Sequence, residues 1–401
     1  MLIEKDIIRP NWENNKNVIA CSCSNLYIPY LCVYLESLCS NINKKNLYDI
    51  VIVETDITKN NKKLLQSYFE KYPNVSLRFY NVDCLFGNIK LHLSTSYWAI
   101  QCYYRICIGL IFRKYEKVLY SDIDLIVNFD INELFNIDMQ GKAISACEEI
   151  LWIPENRLNM NSTKMPSCDE YIKQKLGLDG KYYNTGVILV DVSKFNKIVS
   201  FEELFEEASS NRFINQEQDL LNKVFNGEFY TLPNNYNFEI HPLIYNSEYD
   251  FFNNYMEKIE NGKIFHFLAD KKAWFYPDIP KADLWWTYAR QTPFYEEILK
   301  RMIDFNIKNY TFLDTPISKL RTEFCNVHFP NINSKLGNIE YKSNLLYVLD
   351  HILYYEFKML CYKLKKTFYF GEKYDKYNKK YNKIKSLIED AKNLSKELQI
   401  I

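Results

Sequence analysis

Two aspartates one residue apart, Asp122 and Asp124, end one apolar run and are followed at once by another, in the stretch KVLYSDIDLIV from Lys117 to Val127. By periodicity this is a buried strand whose end projects both carboxylates into a crevice. Two ionised groups so close in a poorly solvated place need a cation between them, or one must keep its proton. The pair is therefore a metal-site candidate, whereas the same triplet on a solvated loop would be ordinary. Other residues have the types to join it. His266 ends a short apolar run beside Lys271 and Lys272, in IFHFLADKKAW. Gln216, Glu217, Gln218 and Asp219 crowd the first turn of a predicted helix, where acids often only complement the macrodipole. Arg105 stands among Tyr103, Tyr104, Ile106, Ile108 and Leu110. In such company an arginine pairs with a carboxylate or faces an anionic or hydroxylated ligand.

The elements that must position these groups alternate. Asn17 to Cys21 reads as a strand, and the turn SCSNLYIPY leads into a helix with Leu31, Tyr34, Leu35 and Leu38 on one face. A strand over Tyr48 to Glu54, a helix over Asn60 to Tyr72 with Asp56 and Thr58 as candidate caps, and a strand over Ser76 to Val82 follow. That order predicts an α/β fold with a parallel sheet and right-handed crossovers. Trp98 to Phe112 reads as the helix carrying Arg105. Ala143 to Cys147 is a strand ending at Glu148 and Glu149, Asp169 to Leu176 a short helix, and Tyr182 to Val192 a strand opening on Asn184-Thr185-Gly186. Gln216 to Phe225 is helical and Lys263 to Phe267 a last core strand. Ligands of open α/β sheets bind beyond the carboxyl ends of strands, where both acidic pairs fall.

The chain of 401 residues has 47% hydrophobic content with only 10 glycines and 12 prolines, which predicts an ordered protein with one large domain and an appendage. Its eleven cysteines are odd in number and lie mostly in apolar runs, and no apolar signal region opens the sequence, so reduced thiols and a cytoplasmic location are expected. Cys21 and Cys23 complete no zinc pattern, and no apolar stretch reaches membrane-spanning length. The character changes near residue 281. A helical, basic and aromatic extension over 282–401 follows, interrupted at Pro293 and loop-rich over 304–340. There Leu346, Leu349, Leu353, Phe357, Leu360 and Leu364 recur at helical spacing. Residues 357–386 carry ten lysines against Glu372 and Asp375, although the whole chain balances 50 basic and 50 acidic residues. Two readings stand: peripheral attachment to an anionic membrane at the inner face of the cell, or packing on the α/β domain of 1–281. An acidic body without a binding motif argues against nucleic acid.

Five segments in order resemble glycosyltransferase family 8, which includes bacterial α-galactosyl- and α-glucosyltransferases of lipopolysaccharide assembly and the glycogenins. They are the arginine helix at Arg105, the Asp122–Asp124 strand, Tyr183-Asn184-Thr185-Gly186, Glu217-Gln218-Asp219, and His266 to Trp274. The chain departs from the family pattern at Ser22 to Asn25, where an acid is usual, and at Glu217, Ala269 and Ala273, which replace an aspartate, a glycine and a proline.

The resemblance implies a GT-A fold, a Rossmann-like mixed sheet flanked by helices. It implies transfer of a hexose, with retention, from UDP-galactose or UDP-glucose to a saccharide or lipid-linked saccharide in surface-glycan assembly. Asp122, Asp124 and His266 would bind Mn²⁺, with Mg²⁺ as the alternative ion, because an imidazole suits Mn²⁺ better. Ser24, Tyr27, Asp122, Thr185, Ala269 and Lys272 would serve substrate binding, and Arg105, Glu149, Asn184, Glu217 and Asp219 the sugar hydroxyls. Gln218, with Asp219 and Arg105, would support the reacting centre. Asp219 could instead pair with Arg105. Two other classes stay open on the residues alone: a phosphatase of the haloacid dehalogenase type, which also follows a strand with Asp-x-Asp, and a sugar-nucleotide binder without turnover.

Overall fold

The apolar runs NVIACS, YDIVIVE, VSLRFYN and KVLYS become β1 (Asn17–Ser22), β2 (Tyr48–Glu54), β3 (Val75–Asn81) and β4 (Lys117–Ser121), four parallel neighbours. The computed structural model describes residues 7–86, 91, 93, 100–152, 171–178, 180–210, 213–246 and 250–309, with the isolated Asn378 and Asn382. The chain divides into two compact units, Met1–Tyr295 and Glu296–Ile401.

The sheet continues through β7 (Tyr183–Asp191), β6 (Ile144–Glu148) and β8 (Phe229–Leu232), in the order β3-β2-β1-β4-β7-β6-β8. β7 alone runs against its neighbours β4 and β6, so the seven-stranded sheet is mixed, as expected. β5 (Leu125–Val127), β9 (Phe238–Ile240) and β10 (Ile264–Phe267) form a second sheet, ordered β5-β10-β9. KVLYSDIDLIV is therefore not one strand. Its halves, β4 and β5, belong to different sheets, and the aspartates lie in the crossing.

Strand side chains alternate between faces. Val18 and Ala20, Val51 and Val53, Val118 and Tyr120, Ile144 and Ala146, and Ile188 and Val190 thus share one core with Tyr103, Tyr104, Ile106, Leu220 and Leu221. The helix Ile28–Asn41 is buried along nearly its whole length, because it packs both on β5 and on the helix Ala282–Ala289. Asn41 Nδ2 ties the three together, donating to Val127 O at 3.1 Å and to the Tyr288 hydroxyl at 2.8 Å. The one acid that the helix Ile28–Asn41 buries, Glu36, is paired with Lys71 at 2.9 Å.

Several expectations shift. The arginine segment is a 3₁₀ helix, Ile100–Cys107, with one α-turn after it, Ile108–Ile111, among the described residues. The second helix is Lys59–Phe69, capped by Thr58, whose hydroxyl accepts from Asn61 N at 3.3 Å; Asp56 instead accepts from Asn25 N. The short helix near 170 is a π-helical turn, Tyr171–Lys175. The chain breaks around Pro293 between Ala282–Ala289 and Tyr295–Asn309, and that second helix occupies the start of the segment expected to be loop-rich. The change of character at 281 precedes the division between units by one helix. Most of 304–340 and nearly all of 345–386, with the apolar stripe and the ten lysines, lie outside the described residues. No helix among the described residues is long and apolar enough to cross a membrane.

Candidate functional site

The crossing from β4 to β5 carries Asp122-Ile123-Asp124 between the two sheets, and each aspartate is tied to a different one. Asp122 N donates to Gly186 O on β7 at 2.8 Å, while Asp124 O accepts from Phe267 N on β10 at 3.0 Å. β10 also delivers His266, paired across from Leu125. Its Nε2 lies 3.2 Å from Asp124 Oδ1 and 3.8 Å from Asp122 Oδ2. One ligand atom from each of the three residues falls within 4.8 Å of the others. Gly186 keeps this space open: a Cβ there would stand 2.3 Å from His266 Cε1 and 2.9 Å from Asp122 Oδ2. Asn184-Thr185-Gly186 lies within β7 and not in a turn, and its glycine is required by close approach. Two carboxylates and an imidazole around such a gap fit a divalent cation.

Cations flank the carboxylates. Lys272 Nζ donates to Asp124 Oδ2 at 2.5 Å and to Phe267 O at 2.6 Å. Burial would raise the pKa of Asp124, but Lys272 and His266 outweigh it and hold the carboxyl well below the usual carboxylate range. Arg105, 2% exposed, reaches Asp122 Oδ1 at 2.5 Å and Glu217 Oε1 at 3.2 Å, and donates to Thr185 O and, at 3.0 Å, to Thr185 Oγ1. Its partner on the helix Gln216–Val224 is therefore Glu217 and not Asp219. Burial raises the Glu217 pKa, and Arg105 opposes the rise.

Beyond Arg105 lies a cluster of polar side chains, buried except for the half-buried Gln218. Gln218 Oε1 accepts from Thr185 N at 3.0 Å, which fixes the amide, and Nε2 faces Glu149 Oε2 at 3.3 Å and the Tyr182 hydroxyl at 3.2 Å. Asn184 Nδ2 donates to the same Glu149 oxygen at 2.6 Å. Glu149, Asn184, Thr185, Glu217 and Gln218 are thus brought together with the metal-site candidates. Asp219 is placed differently from expectation. Its oxygens accept from Tyr171 and Tyr182 hydroxyls at 2.6 and 2.5 Å and from Ile214 and Asn215 N–H groups at 2.9 Å. It pins the segment leading into the helix. Gln216, at the helix start, holds φ 49° and accepts from the Tyr103 hydroxyl at 3.1 Å, a left-handed backbone of the kind found where a site is held under strain.

Ser24 and Tyr27 occupy the turn after β1. Ser24 O accepts from Tyr27 N at 3.0 Å, and Tyr27 stands edge-on to Trp274, two residues beyond Lys272. Ala269 takes φ 60°, a conformation in which glycine would be unstrained.

Sequence reasoning missed two buried residues. Asn237 ends the 3₁₀ turn Asn234–Asn237, and its Oδ1 lies 3.0 Å from His266 Nδ1. Glu239, on β9, is fully buried against the Glu149 carboxyl; burial first, then that neighbouring charge, push its pKa well above the carboxylate range. A three-residue strand and an NNYN turn give no periodic signal that could have marked either.

Residues 18–277 match the family model described as Glycosyl transferase family 8. A Haemophilus influenzae protein named "Putative glycosyltransferase" is 27% identical over 225 residues, 54% of this chain and 62% of that protein, so the chain spans less than two thirds of its length. The apo structure of the bifunctional glycosyltransferase WbbM aligns with a TM-score of 0.65 at 23% identity, over 74% of this chain and 53% of that one. The galactosyltransferase LgtC, solved with donor and acceptor sugar analogs, aligns with a TM-score of 0.55 at 19% identity, over 69% of this chain and 96% of that one. The likeness to these two structures is one of fold, the GT-A arrangement of a mixed sheet between helices.

Proposed function

The chain belongs to glycosyl transferase family 8, and from that premise we propose that it moves a hexose from a UDP-sugar to a hydroxyl of a saccharide acceptor, with retention at the anomeric carbon and with Mn²⁺. Membership sets aside the phosphatase alternative. The observation that carries the proposal is the convergence of Asp122, Asp124, His266 and Lys272 beside the polar cluster around Gln218. Asp122, Asp124 and His266 would hold the ion, which when bound supplies Lewis-acid charge to a diphosphate leaving group.

The chain's own residues do the rest. Lys272 sets a fixed positive charge next to the place where that leaving group gains negative charge. Gln218 presents a neutral amide, a poor covalent nucleophile, oriented by Thr185 N–H so that its dipole can support a sugar ring becoming cationic. Glu149, Asn184 and Glu217 offer hydroxyl-binding oxygens and N–H groups. Arg105 and Asp219 act through others: Arg105 positions Asp122 and Glu217, and Asp219 holds the start of the Gln218 helix.

A panel of UDP-hexoses incubated without acceptor, with UDP release followed in Mn²⁺ and in chelator, tests this. Release with at least one UDP-hexose, stopped by chelator, is expected. Binding of UDP with Mn²⁺ but no release from any donor, with or without saccharide acceptors, would leave a non-catalytic binder. Release from another nucleotide's sugars only would overturn the uridine assignment.

A further inference from the structure

The hydrogen bonds leading away from His266 have a direction that can be worked out from one end. Gly186 N–H can only donate, and it donates to Asn184 Oδ1 at 2.8 Å. That fixes the Asn184 amide, whose Nδ2 then faces the acceptor Glu149 Oε2 at 2.6 Å. A second contact to Asn184 Oδ1, at 2.8 Å, comes from Asn237. Since Oδ1 accepts, Asn237 must present its Nδ2 there, which turns its own Oδ1 toward His266 Nδ1 at 3.0 Å. An amide oxygen cannot donate, so the proton between them belongs to His266 Nδ1. Every member is buried: Asn184 is 3% exposed, Asn237 1% and His266 1%, and flipping either amide would set two acceptors or two donors face to face.

From this relay we infer that Asn237 is a positioning residue that holds His266 as the Nδ1–H tautomer, with the Nε2 lone pair facing Asp122 and Asp124. The inference rests on the metal reading above. It assigns Asn237 the task of keeping the imidazole nitrogen available as a ligand, and it links the ligand set to Glu149 and Gln218 through one chain of oriented amides. Outer partners of this kind typically change metal affinity about 10–100-fold when lost.

The test uses the full chain and two readouts. Side-chain ¹⁵N spectra of metal-free protein, taken across alkaline pH and with the signal assigned by His266→Gln, report which ring nitrogen carries the proton. Calorimetry with Mn²⁺ alone reports affinity. Wild type should show Nδ1–H, and Asn237→Leu should lose that preference and bind Mn²⁺ about 10–100-fold more weakly. Asn237→Asp loses the donor to Asn184 Oδ1 but keeps an acceptor oxygen toward His266 and should keep Nδ1–H, which carries the test if the leucine variant does not fold. A folded Asn237→Leu with unchanged tautomer and affinity, or an Asn237→Asp that switches to Nε2–H, would overturn the inference. Failure of the metal reading looks different: wild type itself would take up no Mn²⁺.

Discussion

Asp124, half-buried, and Glu239, fully buried, are both carboxyl groups near His266, yet the protein holds one ionised and presses the other toward its protonated form. Asp124 has Lys272 at 2.5 Å and His266 at 3.2 Å, and Asp122 has Arg105 at 2.5 Å. Glu239 instead lies against the carboxyl of Glu149, with Ile150 N at 3.4 Å from its Oε1 and no donor for its Oε2 among the described residues. Asp219, in the same deeper region, is also raised by burial, although two tyrosines and two backbone N–H groups lower it. What a buried acid does here depends on whether a cation reaches it. The cation-lined side keeps its carboxylates charged, as holding an ion would require, and the deeper side keeps protons and hydrogen bonds that hold shape. Arg105 joins the two sides, so it is where the comparison is most easily broken.

Replacing Arg105 by methionine would strand Asp122 and Glu217 without their shared cation. A loss of about 3–5 kcal/mol in denaturant unfolding is expected, since breaking a buried pair leaves an uncompensated charge. A loss below about 1 kcal/mol would mean that the two regions do not depend on one another. Asp124→Asn acts on the cation-lined side alone. It should leave the fold intact and lower turnover about 10²–10³-fold, the several kcal/mol that an ion contributes, with weaker Mn²⁺ uptake by calorimetry. Near wild-type turnover in chelator would remove the ion from the mechanism. Gln218→Ala probes the deeper side. Turnover should fall about 10–100-fold with UDP affinity nearly unchanged, because under the proposed function the amide would face the sugar and not the nucleotide; a matching fall in UDP affinity would relocate it.

The smallest effect sharpens the contrast through pH. An unfolded glutamate titrates near about 4.3, and the folded Glu239 titrates higher. Between those values the native carboxyl keeps a proton that the unfolded chain has released, so wild-type stability falls as pH rises through the window. Glu239→Gln keeps a donor toward Glu149 and cannot ionise. Its stability relative to wild type should be greater at pH 8 than at pH 4, because wild type alone loses the bound proton as pH rises. Parallel stability curves for the two proteins would show that Glu239 is not held protonated.

The sequence made the ion cluster legible because its three residues sit at strand ends that stand out by hydrophobic contrast. The pairing of Arg105 was less accessible. Residues two apart on a helix face different ways, so Glu217 and Asp219 could not both meet Arg105, and nothing local says which does. The strand order was open for a similar reason: β7 enters between β4 and β6 through antiparallel pairing that no local pattern announces. The split of KVLYSDIDLIV was hidden because both halves are apolar and the partner of β5, β10, lies more than 130 residues away in sequence.

That split has a mechanical meaning. Asp122 is anchored to the seven-stranded sheet, while Asp124 and His266 are anchored to the three-stranded one. Anything that grips all three side chains works as a rivet through the joint between the sheets, and the small sheet can then loosen only by letting go of its cargo. Bound ion would raise the free energy of opening by about 2.7 kcal/mol at a hundred times its dissociation constant. Amide protons of β5, β9 and β10 would gain protection from exchange along with those of the larger sheet, so that two sheets built from separate segments respond to the ion as one cooperative body.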